Sequence, residues 1–386
     1  MTAVVVAEQV RLARRLHADA AAQVAERPTF PLLLDQALTA MEFAAALGED
    51  VDARTPFREA MAALRAGTEV GPWLYRGAAQ AGWVAIQLAR FRGATATGLG
   101  PIDDAVLGWL EAFPAEHDLD LPMGALGLGV YGLVHPDPAV RDRITAGVLD
   151  VVEDRTERDD AGRYFRLSDS PARRADGSAG SRILGAAHGA AGLVSYLASA
   201  ALAGGAPGPR ARWLLDEARR WLVGHRADVG GTVFPHRVET RYVPSRATWC
   251  TGDPGIGLAL SVAAEATGDA GTAALAEEVG RRTLARAPQD CGVLDGCLCH
   301  GAAALCWYGR RLRDDHGADS EGFTARWAGW LAEARAEGPL TYFSPDGMVR
   351  NASFLEGDAG VALALLHAAT GGSPSWQQLL LAAPVR

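Results

Sequence analysis

Two thiols and one imidazole stand out in this 386-residue sequence. Cys250 lies in "TWCTGDPGIG" (Thr248 to Gly257). Cys299 and His300 lie side by side in "DGCLCHGAAA" (Asp295 to Ala304). Thiolate with imidazole favours Zn²⁺ over Mg²⁺ or Ca²⁺. Three protein ligands leave a fourth position open for water or substrate, as in catalytic rather than structural zinc. Neighbours such as Cys299 and His300 cannot face one point from inside a regular helix. They can converge from the turn just ahead of one. Spacing by itself leaves this open, because CxxC and HExxH are both missing and cysteines often serve as small buried hydrophobes. Cys291, Cys297 and Cys306 read as structural, and Cys297 competes with Cys299 for the ligand role.

A repeat must position these groups. A bulky residue, a polar or aromatic one, a Gly-x-x-Gly step and an apolar run recur at Gly77, Gly124, Gly189, Gly252, Gly301 and Gly357. The second glycine is kept as Gly127, Gly192, Gly255 and Gly360, and is replaced by Gln80 and Ala304 in the other copies. Between the copies lie amphipathic segments such as "RARWLLDEARRWLVGH" and "ARWAGWLAEARAEG", apolar at helical spacing. Each unit therefore reads as an apolar inner helix paired with a half-polar outer one. No strand periodicity stands out, although short hairpins fit "GGTVFPHRVETRYV". Repeated helix pairs stack as a solenoid or close into an α/α toroid. Inner helices rich in Ala and Gly suit a crowded ring whose N-termini open on one cavity. Residues just ahead of the glycine turns would line its mouth: Asp120, His188, Arg246 and the three donors above. Singly, Asp120 is a helix N-cap, His188 a core histidine and Arg246 a surface charge.

Composition narrows the classes. Charged residues make up 22% and hydrophobic ones 49%, which is globular. The net charge is 37 − 46 = −9, with no basic run, so nucleic acid is not the expected partner. No stretch of about 18 uninterrupted apolar residues predicts a membrane span. The N-terminus carries no secretory pattern. The expected location is the cytoplasm, or the periphery of a membrane-associated biosynthetic complex. Clustered cysteines in the cytosol favour metal or catalysis over disulfides.

"WCTGDPGIG", the later "CLCHG" and the earlier "HG" at Gly189 together resemble the lanthionine synthetase C-like family, whose pattern is W-C-x-G-x-P-G followed by C-H-G. The resemblance runs from about Gly71 to "SWQQLLL". It implies an all-α fold, an α/α toroid with a double ring of about seven inner and seven outer helices, as a single domain over 1–386. Residues 1–28 form an N-terminal helix, and "FPLLLDQALTAMEFAAAL" is the seventh inner helix, stripped of its glycines. It also implies zinc held by Cys250, Cys299 and His300, with His188, Asp120 and Arg246 as catalytic groups. Two departures concern substrate shape: Thr251 stands where an aromatic is frequent, and Leu119 where tyrosine often precedes the aspartate. Arg90 to Leu119 has room for one outer helix only. An inserted extension domain carried by some bacterial members is therefore expected to be absent, and a leader peptide would bind elsewhere.

The implied activity is zinc-dependent closure of (methyl)lanthionine rings. A cysteine thiolate of a dehydrated precursor peptide, leader plus core, adds to dehydroalanine or dehydrobutyrine supplied by a dehydratase partner. His188 would protonate the α-carbon, Asp120 would orient it, and Arg246 would stabilise the enolate or fix Asp120. Other readings stay open. One is a non-cyclising zinc protein that binds glutathione or a peptide. Another is thiol alkylation similar to that of protein prenyltransferases, with Asp295, Cys297 and His367. A third is glycoside hydrolysis by Asp120, Asp253 or Glu356, which needs two opposed carboxylates.

Overall fold

The computed structural model describes residues 3–239 and 242–385. In chain order the helices are α1 (Ala3–Glu26), α2 (Phe30–Leu47), α3 (Arg54–Arg65), α4 (Ala78–Phe91), α5 (Gly100–Glu111), α6 (Ala125–Val134) and α7 (Pro138–Arg155). A short α8 (Pro171–Ala175) precedes α9 (Ala190–Ala203), α10 (Gly208–Gly224), α11 (Asp253–Thr267), α12 (Ala270–Ala285), α13 (Ala302–His316), α14 (Glu321–Glu337) and α15 (Asp358–Thr370). Two antiparallel hairpins, β1 (Glu157–Asp159) with β2 (Gly162–Tyr164) and β3 (Tyr342–Ser344) with β4 (Gly347–Val349), complete it.

All six glycine motifs start a helix, and the first glycine of each is the extended N-cap residue. No side chain caps these helices. The loop ahead folds back over the helix end instead, and its carbonyls take the first orphan N–H groups. Ala78 N donates to Gly71 O, Ala190 N to Ile183 O, Ala302 N to Asp295 O and Asp358 N to Asn351 O, all at 2.9–3.0 Å. Such a close return leaves no room for a side chain. A Cβ on Gly252 would lie 1.8 Å from Arg246 O, and one on Gly255 1.9 Å from Trp249 O. The Gly-x-x-Gly step is thus a steric requirement of the loop.

The chain divides into two compact units. The first comprises residues 1–69 and 284–375. In it α2 packs on α3, α13 on α14, and α15 on α1, while α13 and α2 both flank α15. The expected N-terminal helix is α1, and it packs on α15. Arg335 of α14 reaches Asp19 of α1 at 2.8 Å. Helix α2 coincides with the glycine-free copy anticipated from sequence, and Asp35 on it accepts from Phe354 N at 2.9 Å. Among the described residues it is also the one helix long and apolar enough to cross a membrane, with 67% of it buried inside the fold.

The second unit comprises residues 70–283 and 376–386. Its inner helices α4, α6, α9 and α11 pack in that order, with α5, α7 and α10 outside α4, α6 and α9. Small residues set the inner spacing: Gly82 lies under the Tyr131 ring and Gly129 under Tyr196, where a Cβ would clash at 2.4 and 2.2 Å. The C-terminal tail is bound among these helices. Tyr75 Oη donates to Leu379 O (2.6 Å), Trp249 Nε1 to Leu380 O (3.0 Å) and Ser195 Oγ to Leu381 O (2.5 Å). The segment from Arg90 to Leu119 holds α5 alone. "GGTVFPHRVETRYV" forms no regular hairpin among its described residues, only the isolated bridges Ile183–Arg237 and Pro235–Pro244; its Thr240 and Arg241 lie outside them.

Gly252→Ala should lower stability by about 3 kcal/mol, because the new methyl meets backbone that cannot rotate away. Chemical denaturation of the variant against the parent measures this.

Candidate functional site

The entrance loops follow a positional rule. The residue two before the cap glycine takes part in backbone bonds from loop to loop. In the second unit Tyr75 N donates to Pro122 O (3.4 Å), Leu121 N to Ala187 O (3.0 Å) and Ala187 N to Cys250 O (3.1 Å). In the first unit Cys299 N donates to Leu355 O (2.9 Å). Cys250 and Cys299 occupy this same inward position, each two residues before its glycine. The residue one before the glycine projects outward. Met123 and Glu356 there are exposed, and the His188 side chain is 35% exposed.

The second unit brings Asp120 and His188 together. His188 Nδ1 lies 2.6 Å from Asp120 Oδ2. A carboxylate oxygen only accepts, so Nδ1 carries the hydrogen and Nε2 is left to react. Asp120 is nearly buried, and its Oδ1 accepts from Met123 N at 3.0 Å. The N-cap of α6 is Gly124, so Asp120 is not the N-cap expected of it; its bond to Met123 N holds the loop ahead of the cap. Burial works against the His188 imidazolium, and so does the nearby Arg173. The hydrogen bond and charge of Asp120 outweigh both and raise the imidazole pKa above its ordinary value.

Arg173 was not singled out by the sequence. It sits on α8, in a polar stretch with neither the repeat glycines nor helical periodicity. Its Nη2 lies 3.1 Å from Asp120 Oδ2, and its Nε 2.8 Å from Asp118 Oδ2. Arg246 is half-buried, four residues ahead of Cys250. Arg173 fixes Asp120. Cys250 is 9% exposed, and its thiol faces the Thr248 and Thr251 hydroxyls at 3.8 and 3.9 Å. Arg246 and Cys250 both act on His236, whose pKa is lowered mainly by burial.

In the first unit a ring nitrogen of His300 and the Cys299 sulfur lie within 4.8 Å of each other. The same histidine stands within that distance of Asp295 and Cys297. These last two are occupied in holding the loop. Asp295 Oδ1 accepts from Cys297 N and Oδ2 from Phe343 N, both at 2.9 Å, and Cys297 Sγ accepts from His300 N at 3.4 Å. Cys297, Cys291 and Cys306 are completely buried, whereas Cys299, like Cys250, is 9% exposed. Burial pushes the Cys306 thiol up to about 12 and also raises that of Cys291. No disulfide joins any of the five. Within each unit, donor chemistry and slight exposure suit a metal ligand best at Cys250 in the second and at Cys299, beside His300, in the first.

The rival constellations fare worse. His367 sits in the last turn of α15, with Nε2 3.1 Å from Gly372 O, while Asp295 and Cys297 precede the start of α13. Both oxygens of Asp253 accept backbone N–H groups, from Phe234 and Val233, and Glu356 is exposed. No opposed carboxylate pair emerges from these residues.

The family model described as lanthionine synthetase C-like protein matches residues 74–381. Among solved structures, nisin cyclase superposes with a TM-score of 0.74 at 18% identity, covering 96% of this chain and 97% of that one. The fold is therefore the α/α toroid expected from the repeats. An inactive variant of an alpha-1,6-mannanase of Salegentibacter sp., in complex with alpha-1,6-mannotriose, gives 0.44 at 10% identity over 94% and 98% of the two chains, too weak a likeness to bear on function. Curated protein sequences give no match.

Asp120→Asn should lower the His188 titration midpoint, since the group that raises it is lost. Histidine side-chain NMR across pH reads the shift.

Proposed function

We propose, on the premise that the chain belongs to the lanthionine synthetase C-like family, that it closes thioether rings in a dehydrated precursor peptide, with Cys250, Cys299 and His300 holding Zn²⁺. The observation that carries this is the Asp120–His188 pair on an entrance loop, in the same repeat frame that sets Cys250 and Cys299 at equivalent inward positions. Bound Zn²⁺ would supply a site where the substrate thiol, ordinarily of pKa about 8.5, is held as thiolate near neutral pH.

The chain's own groups do the rest. The substrate sulfur bonds to the β-carbon of the dehydro residue, and the double-bond electrons move to the neighbouring carbonyl as an enolate. His188 delivers a proton to the α-carbon from Nε2. Its raised pKa favours the protonated form, and Asp120 stabilises that charge. Arg246 is assigned to the developing enolate oxygen. The thiol proton released at the start restores His188, so the ring closes with no atom lost. Holding both ends of one peptide also contributes through proximity. A dehydratase supplies the substrate, and the reaction belongs in the cytoplasm. Thr251, smaller than an aromatic, widens the space beside Cys250 and would admit a bulkier ring.

Metal analysis of the purified chain should find about one zinc, lost in Cys250→Ala and Cys299→Ala and kept in Cys297→Ala. Loss from Cys297→Ala with retention in Cys250→Ala would move the site to Asp295, Cys297 and His300.

A dehydrated precursor peptide mixed with the protein should lose its free thiols. His188→Ala should slow this by about 10²–10⁴-fold. Persistent thiols on a peptide that binds would favour the non-cyclising alternative.

A further inference from the structure

Arg173 belongs to a loop between β2 and α9 that closes on itself. Leu167 N donates to Ser181 O and Gly180 N to Leu167 O, each at 3.0 Å. Within it, Ser170 Oγ caps α8 by accepting from Arg173 N at 3.3 Å. Asp118 anchors the loop twice, taking Ser168 N on Oδ1 at 2.5 Å and Arg173 Nε on Oδ2 at 2.8 Å. The other arm of the guanidinium reaches Asp120 Oδ2 at 3.1 Å and comes within 3.3 Å of His188 Nδ1.

A guanidinium has donors only, in a planar fork. His188 Nδ1 already gives its hydrogen to Asp120, so it cannot accept from Arg173. The two donors therefore converge on one oxygen. If the Asp120 carboxylate turned, it would lose both. If Arg173 shifted towards Asp120, it would compete with His188 for that oxygen. Asp118, by holding Nε, sets how far the arm can reach. These contacts lie among side chains that are largely shielded from water: 18% exposed for Arg173, 10% for Asp118 and 3% for Asp120. Charge-assisted bonds at such sites are stronger and more directional than exposed pairs.

We infer that Arg173, held by Asp118, is a positioning residue that fixes the Asp120 carboxylate and through it the orientation of His188, so that seating of the 167–181 loop and assembly of the proton-transfer pair are one event. The role rests on the cyclase reading for its catalytic meaning, but not for its geometry.

The test uses the full-length, zinc-loaded chain with Arg173→Ala, Arg173→Lys, Asp118→Asn and Asp120→Asn, after circular dichroism and zinc content have matched the parent. In the parent, the His188 Nδ1 proton should be visible by NMR as a slowly exchanging signal. It should exchange about 10-fold faster in Arg173→Ala, less so in Asp118→Asn, and Arg173→Lys should recover part of the protection. With a dehydrated precursor peptide, Arg173→Ala should lower kcat about 10–100-fold with KM within about 3-fold, and should cost nothing further in an Asp120→Asn background. An unchanged His188 signal in Arg173→Ala, or additive losses in the double variant, overturns the inference. Should Arg173→Ala not fold, Arg173→Lys and Asp118→Asn carry the same comparison. If the parent cyclises nothing, the cyclase reading fails, and the NMR comparison still decides the role of Arg173.

Discussion

Everything at the candidate site hangs on backbone carbonyls that return over the N-terminal ends of the inner helices. An α-helix leaves its first N–H groups without partners. Here the loop ahead supplies them at the Gly77, Gly124, Gly189, Gly301 and Gly357 starts, and pays in glycine wherever a Cβ would strike a carbonyl. Because the loops are built alike, a residue's offset from the glycine decides where it points. Two before bonds to the neighbouring loop; one before is exposed at Met123 and Glu356, and partly so at His188 (35%) and His300 (17%). Cys250 and Cys299 share the first offset, and His188 and His300 the second.

The same loops explain why buried carboxylates are frequent without being catalytic. Asp35, Asp253 and Asp295 each accept backbone N–H groups and so secure neighbouring segments. Asp120 begins in that role, through Met123 N, but its second oxygen is given to a histidine. One oxygen holds the loop and the other holds the imidazole. That division raises the His188 pKa while leaving Nε2 available, which a purely structural aspartate would not do.

Stability and accessibility pull in opposite directions among the cysteines. Those with no exposure behave as small hydrophobes, and burial makes the Cys306 thiol hard to ionise. The two at the loop entrances keep slight exposure, which a ligand or a substrate needs. Helix α2 shows a similar tension. It is apolar enough to be mistaken for a membrane span, yet its faces are covered by α1, α3 and α15 within its own unit.

The repeat, the helix pairs and the residues at the glycine turns were legible in the sequence, because local sterics at a helix start leave a regular mark on residue type. The glycine-free copy was placed by the resemblance, which calls for a seventh inner helix, and α2 lies there. Other features were decided by tertiary structure alone. The pairing of α1 with α15 joins segments from opposite ends of the chain, so no local pattern announces it. The difference between Cys297, fully buried beside an Asp295 that already serves two backbone N–H groups, and the slightly exposed Cys299 is also tertiary. Arg173 lies in an aperiodic loop and acquires its place only when that loop closes over Asp118 and Asp120. Periodicity encodes which face of an element is buried; it holds no record of which long side chain will reach across from a neighbouring loop.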